Sequence, residues 1–341
     1  MNLKKILVTG GAGYIGAHTV VELINAGFVP VIVDDLSRSD RTLLEGIEKV
    51  TGIKTALYQG DCGDKKFMTK VFETAGPFSS VLHFAAFKSV GESEEKPLIY
   101  YQNNINSLTT LLEVMSEQKS TDLIFSSSCT VYGQPDQIPV NENAPFKKAE
   151  SAYGATKQMC ERILEDVSRT GFRIVSLRYF NPIGAHPSAM LGEIPIGPPN
   201  NLVPYITQTA AGVREKLTVF GNDYDTPDGS CVRDFIHVVD LALAHVSAMK
   251  YLANKTEKKL YEAFNVGTGV GVSVLQLIQK FIAVTNLKIP YVIGPRRPGD
   301  IEKVYADPTK VNTSLGWRTV FSVEDGLLHA WQWEKKIRGI T

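Results

Sequence analysis

The sequence predicts an α/β fold: a doubly wound parallel sheet with a smaller mixed α/β domain on its carboxyl-terminal side. Three observations predict it. Short apolar segments alternate with helical patterns through the first half of the chain, as expected where each strand needs a crossover helix before its parallel neighbour. A glycine cluster, Gly10-Gly11-Ala12-Gly13-Tyr14-Ile15-Gly16, separates the first strand from the first helix. After Asn181 the texture changes to a loop-rich stretch, Pro182 to Asn201, carrying Pro187, Pro195, Pro198 and Pro199 among several glycines. Loops of this length in compact enzymes are usually functional.

Residues 3 to 9 read as a short buried strand, with the branched residues Ile6, Val8 and Thr9 at its end. Ala17 to Ala26 carries Val20, Val21 and Ile24 as a helix packed on a sheet should, and Gly27 supplies the stop. Val29 to Val33 is the second strand. Lys54 to Tyr58, Ser80 to Phe84, Asp122 to Ser126 and Arg173 to Leu177 read as further strands. Between them, Pro97 to Glu117 and Tyr153 to Ser168 read as long helices, the first with Leu108, Leu111, Leu112 and Met115 on one side. Such helices on a sheet's flank could also build a homodimer. Ser273-Val274-Leu275-Gln276 reads as a capping box opening a helix with Leu277, Ile278 and Phe281 on its apolar face. The expected division is 1–181 with 235–267 as one domain, and 182–234 with 268–341 as the other.

Gly11, Gly13 and Gly16 satisfy the dinucleotide fingerprint, and Gly10, Gly13 and Gly16 satisfy its form with one more residue between the first two glycines. The helix that follows offers unpaired backbone amides and a dipole that favour a pyrophosphate. Asp34 ends the second strand about twenty residues on, where the motif calls for a carboxylate to accept the ribose hydroxyls. An acid there repels a 2′-phosphate, which favours NAD over NADP, although Asp35 and Arg38 stand close enough to bear on the choice. No Gly-Lys-Ser/Thr follows, so this is no phosphate loop of the hydrolase type. The large domain is thus expected to be Rossmann-type.

Downstream come Ser128, inside Ser126-Ser127-Ser128-Cys129-Thr130, and then Tyr153-Gly154-Ala155-Thr156-Lys157. A tyrosine and a lysine four apart on a helix share a face. An ammonium beside a phenol favours the phenolate, so a group with an ordinary pKa of about 10 can act as general base on an alcohol. Loss of that proton prepares the carbon to release hydride. Tyr251 and Lys255 show the same spacing without an upstream serine motif, and read as a solvated helix face.

With 341 residues, 43% hydrophobic content and zero net charge, the chain can bury a large core and lacks the basic excess that nucleic acid or an anionic membrane would require. The amino terminus enters a strand almost at once, so neither signal peptide nor membrane span is expected and a cytoplasmic location is. Cys62, Cys129, Cys160 and Cys231 are widely spaced, and the six histidines lack ligand spacing, which argues against a metal site or a disulfide framework.

The chain resembles the extended short-chain dehydrogenase/reductases, and among them the 4-epimerases of UDP-glucose and UDP-galactose. The resemblance covers nearly the full length. It rests on Thr9 to Gly16, His83 to Ser93, Ser126 to Gly133, Arg178 to Pro182, Pro199 to Leu202 and Val232 to Asp234. It implies that Tyr153 takes the proton from the sugar 4-hydroxyl while C4 gives hydride to a tightly held NAD, with Ser128 as hydroxyl partner and Lys157 holding the nicotinamide ribose. The 4-keto sugar would then turn and receive hydride on its other face. The cofactor contacts so implied are Gly10, Gly13, Tyr14, Ile15, Gly16, Asp34, Asp61, Cys62, Phe84, Ala85, Ala86, Lys88, Asn103 and Tyr179, with Tyr153 and Lys157.

For the UDP-sugar the resemblance implies Lys88, Ser128, Tyr153, Asn181, Asn201, Leu202, Phe220, Arg233, Phe235, Arg297 and Asp300. Arg233 and Arg297 would clamp the pyrophosphate with their planar forks, and Asp300 would take the uridine ribose. Val304 stands where a small residue implies room for N-acetylated sugars. The chain departs from the family at Cys129, where alanine is frequent, and at Phe235, where tyrosine is. A nucleotide-sugar 4,6-dehydratase is the nearest alternative, but those enzymes place an Asp-Glu pair where this chain has Cys129-Thr130. A net alcohol dehydrogenase leaves the UDP-binding segments without purpose, and an inactive NAD-binding protein would commonly have lost Tyr153 or Lys157.

Overall fold

The strands of the first half sort their side chains to alternate faces, and this divides the core in two. The computed structural model describes residues 4–297 and 300–341. Its amino-terminal part runs β1 (Lys5–Thr9), α1 (Tyr14–Asn25), β2 (Val29–Asp34), α2 (Arg41–Thr51), β3 (Ala56–Gln59), α3 (Lys65–Ala75), β4 (Ser80–His83), α4 (Val90–Glu95), α5 (Pro97–Glu117), β5 (Asp122–Ser128), α6 (Ala152–Ser168) and β6 (Arg173–Tyr179). The remainder runs β7 (Asn181–Ile183), α7 (Leu202–Ala210), β8 (Leu217–Phe220), β9 (Val232–His237), α8 (Val238–Ala253), β10 (Leu260–Val266), β11 (Gly271–Ser273), α9 (Val274–Thr285), β12 (Tyr291–Gly294), β13 (Lys303–Val304), α10 (Thr309–Leu315) and α11 (Val323–Arg338).

Seven strands form one parallel sheet in the order β10-β6-β5-β4-β1-β2-β3. The order reverses between β1 and β4, which opens a crevice beyond their carboxyl ends, the place where doubly wound sheets bind ligands. Ile6, Val8 and Ile32 face a core shared with α1, α2 and α8, whereas Leu7, Val31 and Val33 face one shared with α3, α5 and α6. Both faces are covered, which is why these strands read as continuous apolar runs.

The second part is built on a four-stranded sheet, β11-β9-β13 with β7 beside β9, and a two-stranded ribbon of β8 and β12. Ile183, Phe235, Leu277, Ile278, Phe281 and Leu327 fill its core. The capping box at Ser273 and Gln276 is present in both directions. A domain boundary at 235 would cut β9, all of which pairs within the small sheet, so sheet membership moves that boundary past His237. The 309–321 segment also departs from the expected division. Val311 and Trp317 join the core against α8, and the Asp240 carboxylate accepts from the amides of Val320 and Phe321 at 3.0 Å. Among the described residues no helix is long and apolar enough to cross a membrane.

The lone Tyr251 and Lys255 pair is not on one helix face, because α8 ends at Ala253. Tyr251 instead packs edge-on against Phe264 at 5.7 Å, with the Lys255 ammonium 4.5 Å from its ring centre.

Candidate active site

The carboxyl ends of β1, β2, β4 and β5 open on one cleft. Gly10, Gly13, Tyr14, Ile15, Gly16, Asp34, Asp61, Cys62, Phe84, Ala85, Ala86, Lys88, Asn103, Tyr153, Lys157 and Tyr179 all line it. Two glycines of the loop leave no room for a side chain. A Cβ on Gly10, which has a φ of +71°, would lie 2.6 Å from the Ala85 nitrogen, and one on Gly16 would lie 2.2 Å from the Gly10 carbonyl oxygen. Backbone is thereby exposed at the start of α1, where no side chain caps the helix and its amides remain free for an anion.

Asp34 closes the far end of the cleft. Its carboxylate accepts from the Ala12 amide at 3.0 Å, the Leu36 amide at 3.0 Å and the Ser39 hydroxyl at 2.8 Å. Burial nonetheless raises its pKa, and those hydrogen bonds only partly oppose the shift. The glycine cradle and this terminal acid are the fit that an adenosine dinucleotide requires.

Ser128 ends β5, Tyr153 lies in the first turn of α6, and Lys157 one turn later. The Ser151 hydroxyl caps α6 at the Gly154 amide, which fixes where the helix begins. Lys157 is 3% exposed, gives a hydrogen bond to the Ser126 carbonyl at 2.7 Å, and lies 5.9 Å from the Tyr153 ring centre. The Tyr153 phenol is pushed well above its ordinary pKa by burial, while a hydrogen bond with Ser128 pulls the other way. In the protein alone, burial is the larger of these two influences on the phenol. Burial also brings Lys157 down to about 8.

The remaining residues form a second cluster. Arg297 donates to Asp300 at 2.6 Å, Arg233 lies 3.8 Å from the same carboxylate, and the Arg297 guanidinium sits 5.6 Å from the Phe220 ring centre. Two cations thus share one acid beside an exposed aromatic face. Burial pushes the Cys129 thiol up to about 12 and the Arg233 charge opposes it, which sets this cluster next to the Ser128 turn. Asn181 pairs in register with Phe235. Asn201 precedes Leu202 at the start of α7 and donates to Glu193 at 2.8 Å. Two expected contacts offer almost no surface: Phe235 and Val304 are each 3% exposed, the first in the small domain's core and the second against Val131, Tyr132, Phe180 and Ala306.

Sequence reasoning missed one wall of the cleft. Glu193, Ile194, Pro195, Ile196, Pro198 and Asn200 line it. Glu193 accepts from Lys88 at 3.3 Å, and Asn200 pairs with Ser89 at 3.0 Å. The density of prolines marked this loop as functional without saying which residues face inward.

The chain matches the family model described as GDP-mannose 4,6 dehydratase over residues 7–329. It is 48% identical to the UDP-glucose 4-epimerase of Dictyostelium discoideum, over 97% of this chain and 95% of that one. It is 45% identical to the UDP-glucose 4-epimerase of Bacillus subtilis, over 96% of each. Among solved structures, UDP-glucose 4-epimerase from Bifidobacterium longum in complex with NAD+ and UDP is similar with a TM-score of 0.94 at 43% identity, covering 99% of this chain and all of that one. The UDP-Glc/GlcNAc 4-epimerase of Campylobacter jejuni is similar with a TM-score of 0.83 at 34% identity, over 98% and 99%.

Proposed function

The chain belongs to the UDP-glucose 4-epimerases, inside the wider family whose model carries the dehydratase description, and from this we propose that Tyr153 is its acid and base. The protein interconverts UDP-glucose and UDP-galactose by reversible epimerisation at C4, with NAD as cofactor. Bound NAD supplies the reversible hydride acceptor for C4. Tyr153 takes the 4-hydroxyl proton and returns a proton to the ketone oxygen from the same place, while Ser128 steadies that oxygen through its hydroxyl. Lys157 keeps positive charge near the phenol and reaches the nicotinamide ribose. The observation that carries this reading is the meeting of Tyr153, Lys157 and Tyr179 with the glycine loop in one cleft.

Asp34 takes the adenosine ribose, and the free amides at the start of α1 take the pyrophosphate. On the sugar-nucleotide side, Arg233 and Arg297 turn from Asp300 to the diphosphate, Phe220 stacks on the uracil, and Asn181, Asn201 and Leu202 complete the pocket. Dehydration requires acids after Ser128, and Cys129-Thr130 supplies none. Incubation with UDP-galactose alone tests the function: UDP-glucose should accumulate to equilibrium without net consumption of NAD. A stable keto sugar would mean dehydration instead.

Two finer readings belong here. A smaller residue at Val304 favours turnover of UDP-N-acetylglucosamine and UDP-N-acetylgalactosamine as well. The long helices α5 and α6 favour a homodimer, with Leu98 at 72% and Met159 at 46% exposed. Light scattering at micromolar concentration should give twice the chain mass, and a single chain mass would reject the dimer.

A further inference from the structure

Glu193 opens the 193–200 wall of the cleft, and one of its oxygens is shared. Oε1 accepts from Asn201 Nδ2 at 2.8 Å and from Lys88 Nζ at 3.3 Å. The first partner stands at the start of α7, where the UDP-sugar is proposed to sit, and the second follows β4 on the cofactor side. Glu193 is itself held from behind. Trp333 on α11 donates its indole N–H to the Glu193 carbonyl at 2.9 Å, and its ring lies so close on Gly192 that a Cβ there would meet it at 2.4 Å. At the far end of the wall Asn200 pairs with Ser89 at 3.0 Å, and Pro195, Pro198 and Pro199 restrict the backbone between. The segment is thus pinned at both ends, and the hydrogen bond from Asn201 to Glu193 closes its neck.

We propose that Glu193 is a positioning residue for the sugar nucleotide: it fixes the Asn201 amide and thereby keeps the start of α7 open for the diphosphate. The proposal rests on the reading of Asn201 and Leu202 as part of that pocket. A carboxylate has no proton to give, so Asn201 must turn its nitrogen towards Glu193. An asparagine at an N-cap ordinarily turns its oxygen to the amides of the first helical turn. Here no side chain caps α7, because the side chain best placed to do so is engaged by Glu193. The amides of that turn stay free for an anion. Without Glu193, the Asn201 side chain is free to swing back onto its own helix and compete with the ligand for those donors.

The two phosphate-facing helices reach the same state by different means. At α1 the N-cap is Gly13, which has no side chain to offer; at α7 it is a residue that caps well and is kept occupied. A lone carboxylate at this point would oppose a diphosphate. Lys88 on the same oxygen offsets that charge, and a pair mostly covered by protein on its acidic side is screened less by salt than one on open surface. One oxygen therefore serves both walls of the cleft, orienting the amide on the sugar-nucleotide side and holding the lysine on the cofactor side.

The test is UDP binding to the NAD-loaded enzyme by calorimetry, with KM and kcat for UDP-galactose measured beside it. Glu193→Ala should weaken UDP about tenfold, the usual worth of one hydrogen bond of this kind, and raise KM by a similar factor with kcat nearly unchanged. Glu193→Gln keeps an acceptor oxygen in place and should restore most of the affinity. The decisive comparison is a double-mutant cycle: Asn201→Ala removes the amide that Glu193 holds, so adding Glu193→Ala to it should cost little more. A merely structural role would make the two losses add, or would leave Glu193→Gln as weak as Glu193→Ala; either result overturns the proposal, as does unchanged UDP affinity in Glu193→Ala. If Glu193→Ala fails to fold or to keep its NAD, Glu193→Met fills the same space without an acceptor and should show the same loss, and wild-type affinity there overturns the proposal too. Asn201→Ala separates the two levels: full UDP affinity in that variant sinks the reading of the pocket, whereas a weakened Asn201→Ala beside an unaffected Glu193→Ala sinks this proposal alone.

Discussion

The Lys157 ammonium hydrogen-bonds the Ser126 carbonyl at 2.7 Å, tying the helix that carries Tyr153 to the strand that carries Ser128. A cation with 3% exposure has one such oxygen to itself. The lysine consequently gives up stability in order to hold charge where the proposed chemistry takes place.

Tyr153→Phe removes only a hydroxyl. Epimerisation should fall by about 10²–10⁴-fold, the usual worth of a positioned acid or base, while the protein stays folded with NAD bound. Rates measured alongside circular dichroism and cofactor content will show it, and wild-type turnover would refute the role.

Lys157→Met should also be severe, with residual activity climbing at alkaline pH as Tyr153 ionises unaided. Stability should move the other way. The folded pKa of Lys157, about 8, lies below its ordinary value, so the unfolded chain binds more protons between the two. The cost of the buried cation is therefore full below about pH 8 and fades as pH rises towards about 10. At pH 7 that cost is about 3 kcal/mol, and loss of the hydrogen bond to Ser126 returns about 1–2 kcal/mol. Urea unfolding of the cofactor-stripped variant should show a net gain of about 1–2 kcal/mol that disappears by about pH 10.

Asp34→Ala should weaken NAD retention at least about 100-fold, since two charge-assisted hydrogen bonds to ribose are lost. Burial has raised the Asp34 pKa, so acidification protonates this carboxyl earlier than an exposed one. In the wild type, bound NAD measured after rapid gel filtration should therefore decline as pH falls towards the acid range. A retention profile flat in pH would contradict the role.

Gly16→Ala forces a methyl to within 2.2 Å of the Gly10 carbonyl and 2.9 Å of the Gly11 Cα. Neither is a flexible side chain. Overpacking of this kind costs about 1–3 kcal/mol, and the protein should purify with little NAD. Full cofactor content in this variant would show that the loop can open without penalty.

Val304→Tyr should suppress turnover of the N-acetylated pair and spare the plain hexoses, as added volume that clashes with one substrate only would do. Because Val304 is buried against Val131, Tyr132 and Phe180, the variant's melting temperature belongs beside its rates. Equal losses on both substrate pairs, or no wild-type turnover of the acetylated sugars, would reject the gate.

Much of this was legible in the chain. Pro97–Glu117 needed only a proline at its first turn and apolar residues at helical spacing, and the structure returns that helix with the same ends. Strand ends were harder. The strands predicted to stop at Ser126 and Leu177 run on to Ser128 and Tyr179, because polar residues at a site look like loop while sheet pairing carries the backbone through them. The shift of Lys54–Tyr58 to Ala56–Gln59 reflects a short edge strand with weak apolar contrast. Individual motifs announced the cofactor cleft, but the partners of a carboxylate such as Glu193 depend on which segments become neighbours. Spacing along one chain does not contain that information.

The Asp240 carboxylate, clasped by the amides of Val320 and Phe321, gives the two halves a property that neither sheet has alone. The backbone passes from one sheet to the other after β6, after β9 and after β10; α10 then returns to the core of the larger body and α11 rejoins that of the smaller, and the Asp240 clasp pins this last passage. Two bodies laced together so often cannot swing apart like jaws on a single pivot. Under the proposed mechanism, a sugar ring that must present both of its faces would turn within this laced frame, beside the wall that residues 193–200 lend the cleft.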